Sequence, residues 1–385
     1  MKEKQPTATL FHINSYFAGR FFYRHMYRAL ENQGIKQSVY VPVPQGSGLQ
    51  KSDFGYEVIL SENHKAYDRW WFYRKHRKIY QDLISSVDIR NVFLIHAHSL
   101  FSNGYIALRL KEDYNLPYMV TVRSADAEVF FKRLFYLRSL GVRILAEAAR
   151  VVFLSPAYRE KVINTYVPQA LQKKIREKSL CLPNGVDPFW HARGGKPKQF
   201  KKDEVLKVLY AGEINRNKNP LATAKALSKV KDAGREVLFT VVGPVTRPDL
   251  AKKLSSYPFV KVKEPVPKEE LLTLYRSHHL YVMPSFREAF GLSYAEALSQ
   301  GLPVIYSKGQ GFDGQFREGE VGFSVDPRRE TTIQTAIVKA VADYEGLSSR
   351  SLKKARCFDW DRLARDYADL YRRIDEERQG ISCTY

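Results

Sequence analysis

Two acids stand eight positions apart in the run Pro284-Ser285-Phe286-Arg287-Glu288-Ala289-Phe290-Gly291-Leu292-Ser293-Tyr294-Ala295-Glu296. Glu288 lies in a loop, and Glu296 lies one turn inside the helix that follows. The apolar run 280–283 reads as a strand, and Pro284 stops it because proline has no N–H to donate. Gly291 leaves room for a backbone or a ligand to approach closely. Residues 292–300 show helical spacing, with Leu292, Ala295 and Leu298 on one side, and Gly301 stands where a C-terminal cap belongs. The first N–H groups of a helix have no internal acceptor, and the helix dipole makes that end an anion site. Amides for a diphosphate, with a carboxylate on either side for sugar and ribose hydroxyls, suit a nucleotide-sugar. The same spacing also fits a surface loop with a solvated Glu and a helix packed on a sheet.

With Ala297-Leu298-Ser299-Gln300-Gly301-Leu302-Pro303-Val304-Ile305 behind it, the two-Glu loop resembles the signature of retaining glycosyltransferases of family 4, which have the GT-B fold. The resemblance implies that Glu288 contacts the donor sugar or its phosphate. It implies that Ser285, Ala289, Phe290, Gly291 and Leu292 hold sugar hydroxyls and the diphosphate, and that Glu296 holds the ribose. Pro183-Asn184-Gly185-Val186-Asp187 is similar to a hallmark that these enzymes carry where the chain crosses between domains. Members of the family usually have an Arg directly after the glycine of the next loop and a Lys five residues later. In Gly212-Glu213-Ile214-Asn215-Arg216-Asn217-Lys218, Lys218 matches, but Glu213 stands in the Arg place. Arg216 is the candidate to restore that charge, and Glu213 is expected to turn away or find a partner, because a carboxylate against a diphosphate is costly. The turn at Gly243 completes the donor side, and Val266 is placed beside the base.

On the acceptor side the resemblance points to Gly19 and Arg20 in the first loop, and to His98 and Asp126. The family often reads T-x-H-G-x-D where this chain has Thr121-Val122-Arg123-Ser124-Ala125-Asp126. Arg123 replaces the histidine. It stays charged and cannot serve as a base, but it can neutralise phosphate or hold an acidic acceptor. His96-Ala97-His98 closes an apolar strand; alternation puts both rings on one face, with no third metal ligand evident, and a hydrogen-bonded structural role is the alternative. No cofactor and no metal are expected: the first loop lacks the G-x-G-x-x-G fingerprint, and Lys218, Arg216 and helix amides would stabilise the leaving group electrostatically.

Apolar strand runs alternate with helical spacing along the chain, which predicts an α/β protein of two Rossmann-like doubly wound domains facing an interdomain cleft, and the resemblance implies that this is the GT-B fold. The division reads as an acceptor-binding domain over 1–190, a linker over 191–204 and a nucleotide-sugar domain over 205–356. A C-terminal helix in 357–385 returns to the first domain.

The chain has 385 residues and a net charge of +21. Residues 1–200 carry 31 Lys and Arg against 16 Asp and Glu, and residues 201–385 carry 31 against 25. The excess lies in the first half, so an anionic partner is expected there. Two basic-aromatic stretches, 69–80 and 130–140, read as helices. Both fit an anionic membrane surface, a nucleic acid, or a domain helix with solvated cations. Three cysteines, far apart, give no disulfide framework and no metal spacing, and the opening residues show no apolar signal region. A cytoplasmic location, peripheral at the inner face of a membrane, is expected.

The expected activity is retaining transfer of a hexose-type sugar from a nucleotide-diphospho-sugar, UDP favoured and GDP second. The acceptor is a hydroxyl of a saccharide or polyprenyl-linked saccharide, in cell-surface polysaccharide assembly. The alternatives are a sugar-nucleotide epimerase of GT-B type, which would need no acceptor, and a basic nucleic-acid-binding protein, which would leave the two-Glu loop unexplained.

Overall fold

The computed structural model describes residues 9–17, 22–48, 55–201 and 203–380. They fold as two compact units. Unit 1 takes Met1–Leu154, Arg159–Leu182 and Trp360–Tyr385; unit 2 takes Ser155–Tyr158 and Pro183–Asp359.

Unit 1 holds seven strands: β1 (Thr9–Ile13), β2 (Gln37–Pro44), β3 (Glu57–His64), β4 (Val92–Ala97), β5 (Tyr118–Val122), β6 (Arg150–Phe153) and β7 (Ser179–Cys181). They form one sheet in the order β3-β2-β1-β4-β5-β6-β7, and every pair is parallel. Parallel sheets carry helices on both faces, so their strands read as near-continuous apolar runs. Residues Leu10, Ile13, Val39, Val41, Leu94, Ile95 and Val120 are accordingly fully buried. The helix Trp360–Arg378 packs on this unit: Trp360 stacks on Phe22, with ring centroids 6.3 Å apart, and Tyr371 reaches His96.

Unit 2 holds β8 (Leu206–Ala211), β9 (Val237–Val242), β10 (Val260–Lys263), β11 (Leu280–Val282), β12 (Val304–Ser307) and β13 (Gly322–Val325), in the order β10-β9-β8-β11-β12-β13, again all parallel. One apolar core fills it, from Leu206 and Val208 through Tyr281 and Leu298 to Phe358. Two parallel, helix-covered sheets of this kind are the GT-B architecture.

Both basic-aromatic stretches depart from a simple helix. The first is a 3-10 turn, Ala66–Trp70, then a helix, Phe72–Ser86; the break falls at Trp71, whose φ of −118° and ψ of 88° are not helical. The second is a π-turn, Asp126–Phe131, and a short 3-10 turn, Phe135–Leu137; the α-helix starts only at Arg138. The wide turn lets Phe130 and Phe131 both pack on Phe101, at 4.7 and 4.9 Å between centroids. Ring packing overrides helix propensity there.

Candidate functional site: a nucleotide-sugar loop pair and a buried histidine cluster

In unit 2 the strand order reverses between β8 and β11. Open α/β sheets bind ligands at such a point, beyond the carboxyl ends of the strands. The loop after β8 carries Gly212, Arg216 and Lys218, and the loop after β11 carries Ser285 and Glu288. Backbone and side-chain bonds join them: Phe286 N donates to Asn217 O at 2.8 Å, Asn217 Nδ2 to Arg287 O at 2.9 Å, and Asn219 Nδ2 to Pro284 O at 3.2 Å. Across this seam Lys218 Nζ donates to Glu288 Oε2 at 2.5 Å. Glu288 is nearly buried, and Ser285 Oγ lies 3.5 Å from the same oxygen. The Glu288 amide donates to Gln310 Oε1 at 3.1 Å, and its carbonyl accepts from Gly311 N at 2.9 Å. The helix Leu292–Ser299 then begins from Gly291, whose φ is +78°. Its first amides stand in the turn that carries Ala289, Phe290 and Gly291.

Glu296 sits one turn into this helix and is half-buried. Poor solvation pushes its carboxyl up to about 7, against the hydrogen bond that Tyr275 Oη donates to it at 3.1 Å. Glu213, in the place of the family's Arg, is exposed and turned onto Thr246, whose Oγ1 donates to it at 2.8 Å; that bond holds its pKa below the usual range. Arg216 is exposed, and Asp249 feels its charge. Gly243 ends β9 against Gly212: a Cβ added there would lie 2.1 Å from the Gly212 carbonyl oxygen. Val266 is half-buried in the segment between β10 and the helix Lys268–Ser277.

In unit 1 the reversal falls between β1 and β4, and three histidines gather there. His12 of β1 pairs in register with His96 of β4. His12 Nδ1 lies 3.0 Å from His98 Nε2, and the His96 and His98 ring centroids are 4.0 Å apart. All three are buried. Burial lowers His12 to about 3 and holds His96 and His98 well below their usual value, so all are neutral at pH 7. Ligand atoms of the three lie within 4.8 Å of one another, so the expectation that no third metal ligand accompanies His96 and His98 is corrected: His12 supplies one from a neighbouring strand. Yet His96 already bonds Tyr371 Oη and Thr121 Oγ1, each at 2.8 Å. Both nitrogens of His96 are thus engaged, while His12 and His98 pair separately with each other.

Arg123 follows β5 and is half-buried. Its Nε donates to His98 O at 3.1 Å, and its guanidinium lies 5.4 Å from the Tyr23 ring. Asp126 is fully buried. Its carboxylate accepts from the amides of Leu100, Phe101 and Arg123 at 3.0, 3.2 and 2.8 Å, while burial pushes its pKa up to about 6. Asp126 therefore fixes the backbone that presents Arg123, and its oxygens face amides. Gly19 and Arg20 lie outside the described residues. One Asp-x-Asp run is present, Asp359-Trp360-Asp361; Asp361 opens the helix Trp360–Arg378 and Trp360 lies in the core of unit 1. Sequence reasoning missed Tyr275 and His12. Only His12 left a signal, a histidine in the middle of an otherwise apolar strand.

A family model described as "Glycosyl transferases group 1" matches residues 195–356, and one described as "Glycosyltransferase Family 4" matches residues 21–188. A D-inositol 3-phosphate glycosyltransferase of Streptomyces avermitilis is 30% identical over 185 residues, 44% of this chain and 40% of that protein. The match thus spans about two fifths of that relative's length. A sucrose-phosphate synthase from Thermosynechococcus elongatus superposes with a TM-score of 0.72 at 17% identity, covering 95% of this chain and 99% of that one. HepE of Anabaena, solved in complex with UDP, superposes with a TM-score of 0.68 at 16% identity, covering 94% and 99%. Both units carry the family's sequence and its fold, and the chain belongs to the family 4 type of glycosyltransferases.

Proposed function

We propose that the protein transfers a hexose-type sugar, with retention, from a nucleotide-diphospho-sugar to a hydroxyl of a saccharide or lipid-linked saccharide. UDP is the favoured carrier and GDP the second. The observation that carries this reading is the Lys218–Glu288 pair at the reversal of the second sheet, beside a helix N-terminus. Lys218, Arg216 and the first amides of the helix Leu292–Ser299 neutralise the diphosphate, Glu288 takes sugar hydroxyls, and Glu296 takes the ribose. The bond from the anomeric carbon to the diphosphate oxygen breaks as its bond to the acceptor oxygen forms. The acceptor proton passes to the leaving phosphate on the same face. Charge stabilisation of the leaving group is the main contribution asked of the protein. UDP in the HepE structure supports a uridine carrier for the fold, and the cationic loop supports transfer without a metal.

The test is thermal unfolding with UDP, GDP and ADP, on wild type and Glu296→Gln. Nucleotide at about 100 times its dissociation constant adds roughly 2.7 kcal/mol. One nucleotide should stabilise wild type, and the variant much less. Equal silence towards all three would overturn the reading.

A further inference from the structure

Unit 1 carries a surface that the transfer chemistry does not use. Trp70, Trp71 and Tyr73 are 71%, 55% and 52% exposed, and Phe135 and Tyr136 are 71% and 54% exposed. These five aromatics come from the two segments that depart from simple helices. The segments meet: Phe72 packs edge-on against Phe130, with centroids 6.2 Å apart, and the Tyr73 hydroxyl feels that of Tyr136. Single exposed apolar side chains are ordinary, but a cluster of large rings marks an interaction surface.

Cations surround the rings. Arg69 stacks on Trp70 at 5.1 Å, and Arg74 on Trp71 at 5.9 Å. Arg77, Lys132, Arg133 and Arg138 are exposed nearby in sequence. Asp68 is buried beneath the first segment and takes Lys78 at 2.7 Å and Arg74 at 3.5 Å, and Glu128 of the second segment lies 4.0 Å from Lys132. Behind the rings, the exposed stripe of the helix Phe72–Ser86 borders a groove of about 580 Å³ whose lining includes Arg74, Arg77, Tyr80 and Arg109. His76 lines it too. It is 2% exposed, its Nδ1 is bonded to Phe72 O at 2.7 Å, and its Nε2 has no partner. A carbonyl only accepts, so Nδ1 carries the proton and Nε2 is left as a bare acceptor.

We propose that this surface docks on an anionic bilayer, with the aromatic rings at the headgroup level and lipid phosphates on Arg74 and Arg77. Amphipathic rings at an interface, flanked by Lys and Arg, are the composition that binds there, each cation near the surface adding about fivefold to affinity. Charge complementarity selects the bilayer: the rings lie among the guanidinium groups of Arg69, Arg74 and Arg77. The inference deepens the proposed reading, on which the lipid-linked acceptor rests, but the docking itself stands on this surface alone.

The test is co-sedimentation with vesicles of phosphatidylglycerol and phosphatidylcholine in equal parts, against pure phosphatidylcholine, at moderate salt. Of the four tryptophans, Trp190 and Trp360 are buried, so a blue shift of emission on vesicle addition reports Trp70 and Trp71. Wild type should bind the anionic vesicles at least tenfold more tightly and show the shift. Trp70→Ala with Trp71→Ala should lose the shift and most of the binding, and Arg74→Glu with Arg77→Glu should lose the preference for anionic lipid. Both variants should keep the thermal response to UDP, which separates failure here from failure of the donor site. Equal binding to both vesicles, no binding to either, or binding of single-stranded RNA in place of vesicles would each overturn the proposal.

Discussion

Lys218 Nζ and Glu288 Oε2 stand 2.5 Å apart across 70 residues of sequence. The pair closes the seam between the loops that follow β8 and β11. Both side chains are mostly buried, at 24% and 10% exposure, so each is held by the other where a substrate's phosphate and hydroxyls would enter. On the proposed reading, a bound diphosphate would compete with Glu288 for the lysine and release the carboxylate for the sugar.

The two members of the pair should therefore respond differently. Lys218→Met removes the charge on the leaving group and should lower transfer about 10²–10³-fold, with weaker UDP binding. Glu288→Gln frees the lysine, so UDP should bind as well as or better than in wild type while transfer falls. Calorimetric titration of UDP beside initial rates distinguishes them. Parallel loss of binding in both variants would refute a competing pair.

Glu296 sets a pH dependence. Burial pushes its carboxyl up to about 7, and on the proposed reading the ionised form would accept from two ribose hydroxyls where the protonated form accepts poorly. UDP affinity should rise about tenfold between pH 6 and pH 8, following the ionised fraction. Glu296→Gln should flatten that rise, and 2′-deoxy-UDP should show a smaller one than UDP. A rise of equal size in the Gln variant would assign it to the nucleotide's own phosphate.

The strand–loop–helix unit that carries Glu288 and Glu296 was legible in the sequence because its spacing is local. Pro284, Glu288, Gly291 and Glu296 fall within one strand–loop–helix unit, and the helix bounds come out within one residue. The histidine cluster was only half legible. His96 in β4 and His98 just after it are close in sequence, but His12 joins them through the pairing of β1 with β4, and strand order is not written in any local spacing. The resemblance places Asp126 on the acceptor side, at the last position of the T-x-H-G-x-D pattern. Its burial, and the three amides it accepts from, depend on the turn at 99–101, which the sequence does not tie to it. The stretch 130–140 misled for the opposite reason: its helical spacing is real, but rings stacked on Phe101 widen the turn.

The same buried histidines make the fold acid-sensitive. His12 and His76 are depressed to about 3, and His64, His278 and His279 to about 4, all by desolvation. The unfolded chain takes up these protons near pH 6.5, and the folded chain does so only near pH 3–4. The unfolded state thus binds more protons throughout that window. Stability is fully present above pH 6.5 and falls as the pH drops, by about 1.4 kcal/mol per pH unit for each fully depressed histidine. Glu296 and Asp126, raised to about 7 and about 6, work the other way: their share is present below the unfolded carboxyl pKa and is lost as the pH rises through those values. The histidines outnumber them, so net loss on acidification is expected. Urea unfolding at pH 7 and pH 5 measures it, and His12→Gln should reduce the slope. A flat profile between those pH values would contradict neutral burial.

Gly243 tests how firmly the donor loop is seated. It follows β9 with φ +145°, and its amide donates to Lys263 O at 3.1 Å, while Gly212 N donates to Val242 O at 2.9 Å. The ends of β8, β9 and β10 are clasped there, and an added Cβ would fall 2.1 Å from the Gly212 carbonyl oxygen and 3.3 Å from its amide. Both contacts are backbone, so no side-chain rotation relieves them. Gly243→Ala must move the start of the loop that carries Arg216 and Lys218. It should cost about 1–3 kcal/mol, lowering Tm by roughly 2–4 °C per kcal/mol, and should also weaken UDP binding. Gly309→Ala is the control: φ there is +71°, but nothing lies within 4 Å of the new carbon. It should lower Tm through backbone strain alone and leave the affinity for UDP in place. If Gly243→Ala lowered Tm and bound UDP as wild type does, the loop after β8 would not be the phosphate-holding element.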